Sequence, residues 1–202
     1  MLALAVVIAL ASWFGTNVLS VAGSVDDSGG STPPAQSTSS SAAGSSSSAP
    51  APGGPTATIV TGEVFDPEGD GEPENDDDVP LTFDGDPSTS WSTLEYRGSP
   101  NFGNLKAGVG IVYDLGREQP LSGVTLTTTT PGATVEVRTG DDADGDLDSF
   151  AVAASGTLEA TGDLTFQQPV NARFVLVWVT GLVSGTNGYT ADLSEVVVHT
   201  AG

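Results

Sequence analysis

Apolar residues beyond position 56 fall into short runs separated by turn residues, a pattern typical of β-strands. In residues 121–129 and 133–139 apolar and polar side chains alternate, as in a strand with one buried face. Residues 173–180 are apolar on both faces, which predicts a central strand. The predicted strands cover residues 57–61, 110–115, 121–129, 133–139, 173–180 and 191–200.

These runs predict an all-β domain over residues 57–202. No stretch of it carries a convincing helical period, and Pro-Gly at 131–132 predicts a hairpin turn between two strands. The 146 residues of this region are enough for a two-sheet β-sandwich or jelly roll.

Residues 1–23 are apolar and carry no charged side chain. About 20 such residues cross a bilayer as a helix, so the segment predicts one membrane span with the rest of the chain outside the cell. A signal peptide and a buried core helix are the alternatives, the first because small residues occur near 21–23. No basic residue precedes Arg97, so the usual positive flank is missing, which suggests the tail of a longer membrane protein.

Residues 24–56 differ abruptly in composition, with eleven Ser, five Pro and five Gly among 33 residues. So little apolar surface cannot offset the entropy of ordering the backbone, about 1–2 kcal/mol per residue. We therefore predict a disordered stalk with a root-mean-square reach of about 30 Å. The predicted order is membrane helix, stalk and folded domain, which corresponds to a single-pass protein of the cell membrane with an extracytoplasmic domain.

The acidic balance of the chain narrows its range of partners. There are 5 Lys+Arg against 26 Asp+Glu, a formal net charge of -21, and this field repels nucleic acid. We expect the four arginines, Arg97, Arg117, Arg138 and Arg173, to pair with carboxylates instead of an anionic ligand, Arg173 above all. There is no Cys for a disulfide, a thiolate nucleophile or a Cys-zinc site. The one His, His199, lies near the C-terminus without a G-x-S-x-G motif, so we predict no enzyme.

The stretch LTFDGDPSTSW, residues 81–91, concentrates side-chain oxygens in one short turn. Asp84, Asp86 and Thr89 are spaced so that they can surround a small cation. Calcium takes about six to eight oxygens, more than one loop supplies. Glu195, in the last predicted strand, is the candidate carboxylate from elsewhere. The alternative is a solvated turn in which Asp84 accepts hydrogen bonds from local amides.

The pairing of an early DGDPSTSW with a late SEVVV resembles the galactose-binding-like superfamily, which includes discoidin, F5/8 type C and related carbohydrate-binding modules. The resemblance covers about residues 57–202 and is sharp at those two motifs. Residues 65–116 also resemble the C-terminal extracytoplasmic domain of actinobacterial membrane proteins, among them MviN-like lipid flippases and receptor-kinase-like proteins. In those proteins a transmembrane helix and a low-complexity stalk precede the domain.

This resemblance implies a jelly-roll sandwich with a structural cation between the first loop and the last strand. Trp91 would pack beneath the loop as core, and ligand-binding loops would lie at one end of the sandwich. The implied metal ligands are the side chains of Asp84, Asp86, Thr89 and Glu195 and backbone carbonyls near Leu81 and Ser194. The candidate ligand contacts are Tyr96, Arg97, Phe102, Asn104, Lys106 and Tyr189.

Two other acidic runs are weaker candidates for a cation site. Residues 65–80 are expected to form a solvated, self-repelling loop. The alternative is a second cation-binding loop formed by Asp66, Asp70, Glu74 and Asp76. Residues 141–148, DDADGDLD, only weakly favour calcium, because Gly145 follows the second acid of an EF-hand pattern instead of the third and the final Glu is missing.

Two functions agree with the sequence. The first is a noncatalytic, membrane-tethered binding module for a cell-envelope glycan or envelope protein, with residues 92–108 among its binding loops. Tethering would raise the effective concentration of a weak binder to about the millimolar range. The second is a structural or regulatory appendage of a larger flippase or receptor-kinase assembly, with no free ligand.

Overall fold

The structure is a computed structural model that describes residues 54–202. The predicted membrane span, residues 1–23, lies outside the described residues, as does nearly all of the predicted stalk, residues 24–56. Within the described region no helix is both long and apolar enough to cross a bilayer.

Ten β-strands and three short 3-10 helices make up the described part of the chain, which confirms the all-β class. The strands are β1 Thr61–Phe65, β2 Trp91–Ser92, β3 Val109–Thr127, β4 Thr134–Gly140, β5 Ala151–Thr157, β6 Thr161–Gly181, β7 Val183–Ser184, β8 Tyr189–Thr190, β9 Asp192–Leu193 and β10 Glu195–Thr200. The 3-10 helices are Asp76–Thr82, Phe102–Asn104 and Leu147–Ser149. The main sheet has the order β1-β3-β6-β4-β5, and β10 also pairs with β3. Two smaller ladders join β2 to β9 and β7 to β8.

Strands β3 and β6 are long; β3 pairs with β1, β6 and β10, and β6 pairs with β3 and β4. Residues 110–114 of β3 pair with β1 and with the end of β6, whereas residues 121–127 pair with β10 and the start of β6. The ladder is interrupted between Asp114 and Gln119, where Gly116 has a φ of 75°. Side chains disfavour this backbone conformation, so glycine is suited to the bend.

Both halves of β3, together with the strands that pair with them, contribute to one main core, as in a β-sandwich. Ile111, Val124, Val135, Val177 and Val198 are buried together in it. A smaller apolar cluster contains Val112, Phe150, Phe174, Leu176 and Trp178. Alternate residues of β6 therefore enter different clusters, and β6 lies between β3 and β4. This confirms the prediction of a central strand that is apolar on both faces.

Several predicted strand boundaries are corrected by the structure. The first strand is Thr61–Phe65 instead of residues 57–61, although the Ala57 amide still donates to the carbonyl of Val198 in β10. The predicted strands at 110–115 and 121–129 are parts of the single strand β3. The polar residues between these two apolar runs do not end the strand; they form the bend within it.

The hairpin predicted at residues 131–132 is wrong. Strand β4 pairs with β5 and β6, and the Gly132 amide donates to the Leu158 carbonyl at 2.8 Å. Strand β5 and the first half of β6 were not predicted because their side chains are mostly small or polar. Their strand geometry comes from pairing with neighbours that are distant in sequence.

The segment between β1 and β3 forms the loops that carry the candidate sites. Trp91 anchors these loops, because it is fully buried and its Nε1 donates to the Glu74 carbonyl at 2.7 Å. Its strand, β2, pairs with β9. The prediction that Trp91 belongs to the core is confirmed.

Candidate functional site

The acidic turn at residues 84–89 is closed by its own side chains. Asp84 Oδ1 accepts a hydrogen bond from the Asp86 amide at 2.8 Å, and Oδ2 accepts one from the Thr89 hydroxyl at 3.1 Å. Asp86 accepts bonds from the hydroxyl and the amide of Ser88, which lower the pKa of the Asp86 carboxyl. These are the local bonds of the solvated-turn alternative.

The last strand meets this turn in space. Glu195 Oε2 accepts a hydrogen bond from the Gly85 amide at 3.0 Å, which joins positions 110 residues apart. The expected proximity of Glu195 to the acidic turn is therefore confirmed. Burial raises the pKa of Glu195; the Gly85 hydrogen bond opposes this shift, and the nearby charges of Asp84 and Asp86 add to it.

The other predicted metal ligands lie beside the turn and the strand. Leu81 is half-buried, and Ser194 is fully buried with no hydrogen-bond partner for its Oγ. Carboxylates, hydroxyls and carbonyls are the oxygens that calcium takes, so the donor chemistry fits. Among residues 54–202, however, no three acidic or histidine side chains are grouped so that they could hold a metal ion as they stand. The carboxylates would have to turn away from their amide donors to coordinate one.

A second group of polar side chains surrounds Lys106. Its Nζ donates to Asp66 Oδ2 at 2.6 Å and to Glu74 Oε1, and the side chains of all three residues are less than one-tenth exposed. Glu74 also accepts bonds from the Tyr96 hydroxyl and, at 2.8 Å, from the Leu94 amide. We call Asp66, Glu74, Tyr96 and Lys106 the Lys106 cluster.

Burial and hydrogen bonding set the protonation states of the Lys106 cluster. Burial, assisted by the bond to Glu74, raises the pKa of Tyr96 to about 12. Burial alone would lower the pKa of Lys106, but its hydrogen bonds to Asp66, Glu74 and Tyr96 outweigh that effect and raise it. Lys106 Nζ also lies 5.5 Å from the centroid of the Tyr96 ring, within cation–π range. Near neutral pH the tyrosine is therefore a neutral donor and the lysine a cation.

A cavity of about 270 Å³ opens beside the Lys106 cluster. Leu94 and Leu105 line it and are largely exposed, at 53% and 79%. Tyr96 and Lys106 also line it, together with five carboxylates. These carboxylates belong to Asp66, Glu68, Asp70, Glu72 and Glu74. The cavity thus combines exposed apolar surface with a strongly acidic lining.

The predicted ligand contacts are only partly brought together. Tyr96 and Lys106 line the cavity. Tyr189 is half-buried and exchanges two backbone hydrogen bonds with Tyr96, at 2.7 and 2.8 Å. Arg97 and Asn104 are exposed, and neither is among the residues that line the cavity.

The prediction that Phe102 contacts a ligand is corrected by its burial. Its side chain is fully buried and meets the Tyr96 ring edge-on, with the ring centroids 5.1 Å apart. A large aromatic side chain gains more from such packing than from exposure to water. Phe102 supports Tyr96 from the core side and does not offer a surface to a ligand.

The acidic runs differ from their expected forms. In residues 65–80, Asp66 and Glu74 are buried against Lys106, so the expectation of a fully solvated loop is wrong for these two. The other two carboxylates of the alternative cation loop are exposed. In residues 141–148 the acidic side chains bond to local backbone instead: Asp142 accepts a hydrogen bond from the Asp144 amide. Neither run forms a metal-holding group within the region described.

Asp192 is a buried carboxylate that the sequence did not reveal. It is 5% exposed and accepts bonds from the hydroxyls of Thr128, Thr129 and Thr130. The amides of Thr129 and Thr130 add bonds of 3.0–3.2 Å. Burial alone would raise the pKa of Asp192, but these donors outweigh it and lower the pKa. The carboxylate ties β9 to the segment that follows β3.

His199 does not form a hydrolase-like triad. It is 7% exposed, and its Nε2 lies 2.7 Å from the Thr125 hydroxyl. That hydroxyl donates its proton to Asp163, so the histidine is left as the donor to the threonine. In a triad the hydroxyl donates to histidine and histidine donates to the carboxylate. Here the histidine donates to the hydroxyl and the hydroxyl donates to the carboxylate, so the hydroxyl is not activated by the histidine.

Solved structures with a similar fold include carbohydrate-binding modules. The CBM32 of AlyQ, solved in complex with 4,5-unsaturated mannuronic acid, has 21% identity and a TM-score of 0.51, covering 72% of this chain and 98% of that one. A truncated AlyQ with CBM32 and alginate lyase domains also has 21% identity and a TM-score of 0.51, covering 73% of this chain and 33% of that one.

Chitosan-binding module 2 of a chitosanase/glucanase from Paenibacillus sp. IK-5, in complex with chitotriose, has 27% identity and a TM-score of 0.48. The match covers 69% of this chain and 95% of that one. No family model matches the chain. The likeness to the AlyQ module shows that this chain shares the β-sandwich fold of that module, in agreement with the fold that the sequence resemblance implied.

Proposed function

We propose that residues 57–202 form a noncatalytic glycan-binding module whose ligand enters the cavity beside the Lys106 cluster. The observation that carries this proposal is the lining of that cavity, where the Tyr96 side chain and the exposed Leu94 and Leu105 stand beside polar groups. A sugar ring presents hydroxyls at its edge and apolar C–H groups on its faces, and mixed linings of this kind suit it. The fold shared with a CBM32 module supports the same function.

A larger groove on the sheet is a weaker candidate for the glycan site. It has a volume of about 490 Å³ and lies along β5 and β6. Its lining contains no aromatic residue and one charged side chain, Asp163. The cavity beside the Lys106 cluster offers two exposed leucines next to several charged groups, so it is favoured.

The glycan proposal predicts that the full chain is retained on an envelope polysaccharide in a saturable way. Leu105→Ser should weaken retention on purified peptidoglycan roughly tenfold or more, because a leucine buried by a ligand contributes about 1.5 kcal/mol or more. Val152→Ser is the matched control, since Val152 is a similarly exposed apolar residue in the β5–β6 groove. Pull-down isotherms measure both.

Two results would contradict this proposal. Equal weakening by the two substitutions would contradict the location of the site. Indifference of the parent chain to peptidoglycan and to neutral, acidic and amino polysaccharides would contradict glycan binding. It would then favour a structural or regulatory appendage of a larger membrane assembly.

We also propose that the acidic turn binds a structural calcium ion. Asp84, Asp86, Thr89 and Glu195 would hold it, with carbonyls near Leu81 and Ser194. The support is the meeting of the turn with Glu195 through the Gly85 amide, which gathers these carboxylates near one another. Burial, to which their mutual repulsion adds, raises the pKa of Glu195. A bound cation would offset that repulsion and join the turn to the last strand.

Calcium at about 10 mM should raise the Tm of the full chain by roughly 3–10 °C, as expected for a dissociation constant of order 10⁻⁴–10⁻³ M. Glu195→Gln should abolish this rise, whereas Asp144→Asn, in the other acidic loop, should leave it intact. The folded-state pKa of Glu195 is raised, so its ionisation destabilises the fold as pH rises through that pKa. Without calcium at neutral pH, Glu195→Gln should thus be at least as stable as the parent. An unchanged calcium response in Glu195→Gln would contradict the site; differential scanning calorimetry measures it.

The membrane tether is the remaining part of the proposed function. Residues 1–23 are long and apolar enough to span a bilayer, and residues 24–56 have the composition of a flexible stalk. In this arrangement the module would lie outside the cell membrane, within reach of envelope polymers. Confinement near its ligand would compensate for weak binding at a single small cavity.

A further inference from the structure

The cavity beside the Lys106 cluster carries an imbalance of charge. Five carboxylates line it, and Lys106 is the one cationic side chain among its lining residues. The ammonium is already engaged by Asp66 and Glu74. Glu68 and Asp70 accept bonds from the backbone amides of Ala107 and Glu72, and neither forms a salt bridge with a cation in the described part of the chain. The cavity therefore has a negative potential that favours a cationic group and disfavours an anionic one.

Asp66 has an oxygen that lacks a partner. Its side chain is 7% exposed, and Oδ2 accepts the bond from Lys106 at 2.6 Å. Oδ1 is buried and has no hydrogen-bond partner within the structure. A buried carboxylate oxygen without a donor is costly, and native proteins seldom leave one so. Because Asp66 lines the cavity, a donor that enters there could satisfy this oxygen.

A nitrogen donor suits this oxygen better than a divalent cation does. A metal ion needs several converging oxygens, and the Lys106 ammonium already occupies the position between Asp66 and Glu74, the two most buried carboxylates of the lining. An ammonium needs only one or two well-placed acceptors, as Lys106 already illustrates between Asp66 and Glu74. The exposed Leu94 and Leu105 leave apolar surface for the carbon skeleton that carries the ammonium.

We propose that this cavity selects glycans that carry a free primary amine, with the ammonium of an amino sugar seated against Asp66 and the surrounding carboxylates. This inference rests on the proposed glycan-binding function and names the chemical class of its ligand. Glycine at position 69 keeps a side chain away from this carboxylate, because a Cβ there would lie 2.6 Å from Asp66 Oδ2. N-acetylation would remove both the charge and two of the three N–H donors. A uronic acid would meet repulsion.

The test compares a glucosamine trimer with an N-acetylglucosamine trimer, a glucose trimer and a mannuronic acid trimer on the full chain. Isothermal titration calorimetry at about pH 6 keeps the amine protonated. The amine trimer should bind roughly tenfold to hundredfold more tightly than the acetylated one, because only its ammonium groups form charge-assisted hydrogen bonds with the carboxylates. The difference should shrink with added salt.

Two substitutions assign this preference to the cavity. Asp66→Asn should remove most of the preference for the amine, and Glu72→Gln, which changes an exposed carboxylate of the same lining, should reduce it in part. Asp144→Asn changes the net charge equally in a distant loop and should have no effect. Circular dichroism verifies that each variant is folded, and Glu72→Gln keeps the test decisive if Asp66→Asn is not.

The outcomes separate the two proposals. Equal affinity for the amine and acetylated trimers, or an amine preference that survives both cavity substitutions, would overturn the amine inference and leave glycan binding in place. A preference for calcium over the amine in the same titrations would also overturn it. Failure to bind every trimer and every envelope polysaccharide would overturn the glycan function and this inference together.

Discussion

Replacing Asp192 with alanine is expected to lower the free energy of unfolding by about 3–5 kcal/mol. The carboxylate is 5% exposed and receives bonds from three threonine hydroxyls and two amides. Alanine would leave the buried Thr128 hydroxyl and the half-buried donors of Thr130 without an acceptor, whereas water can reach the donors of the exposed Thr129. Each buried donor left unpaired costs about 1–3 kcal/mol. Chemical denaturation of the full chain measures the loss.

Asp163→Ala is the matched control for Asp192→Ala. Asp163 also accepts a bond from a threonine hydroxyl, but it is exposed, so water replaces the lost acceptor. The pKa of Asp192 is lowered in the fold, so its stabilising effect is present above the unfolded-state pKa and is lost as pH falls through the folded-state pKa. The difference in the free energy of unfolding between Asp192→Ala and the parent should therefore become smaller in strong acid. Similar losses for the two alanine variants at neutral pH would contradict the role assigned to Asp192.

Lys106→Met is expected to lower the free energy of unfolding by about 3–5 kcal/mol. Methionine keeps most of the length of the side chain but removes the ammonium that Asp66 and Glu74 share. Two carboxylates would then lie together, almost buried, without their cation, and Glu74 would retain bonds only from Tyr96 and Leu94. Denaturation by urea or heat detects the change.

Arg173→Met provides the comparison for Lys106→Met. Arg173 forms a two-point ion pair with Asp114, through bonds of 2.8 and 2.7 Å, but its side chain is 45% exposed. Water can solvate Asp114 when the guanidinium is removed, so the Tm should stay near that of the parent. The pKa of Lys106 is raised in the fold, so its contribution persists at neutral pH and is lost as pH rises through that pKa. A loss for Lys106→Met no larger than that for Arg173→Met would show that the buried cluster does not stabilise the domain.

The candidate sites were predictable only where a local motif signalled them. The turn at 84–89 was recognisable from its high density of side-chain oxygens. The resemblance to a known superfamily indicated its distant partner, Glu195. Arg173 was expected to form an ion pair, and it pairs with Asp114. Tyr96 and Lys106 were selected as ligand contacts for their side-chain types alone. Their actual partners, Asp66 and Glu74, lie in an acidic run whose charge pattern favours a solvated loop.

What the sequence determined by itself is the all-β class and the central position of residues 173–180, whereas the burial of Trp91 was implied by the resemblance to a known superfamily. The first two features follow from the periodicity of apolar residues, a local property that neighbouring residues reveal. The tertiary structure alone decided that β3 is one bent strand, that Lys106 lies between Asp66 and Glu74, and that three threonines enclose Asp192. The last two arrangements join side chains 32 to 64 residues apart in the chain. Such contacts depend on how loops return to one another once the core has formed, and no short-range pattern of residues records that return.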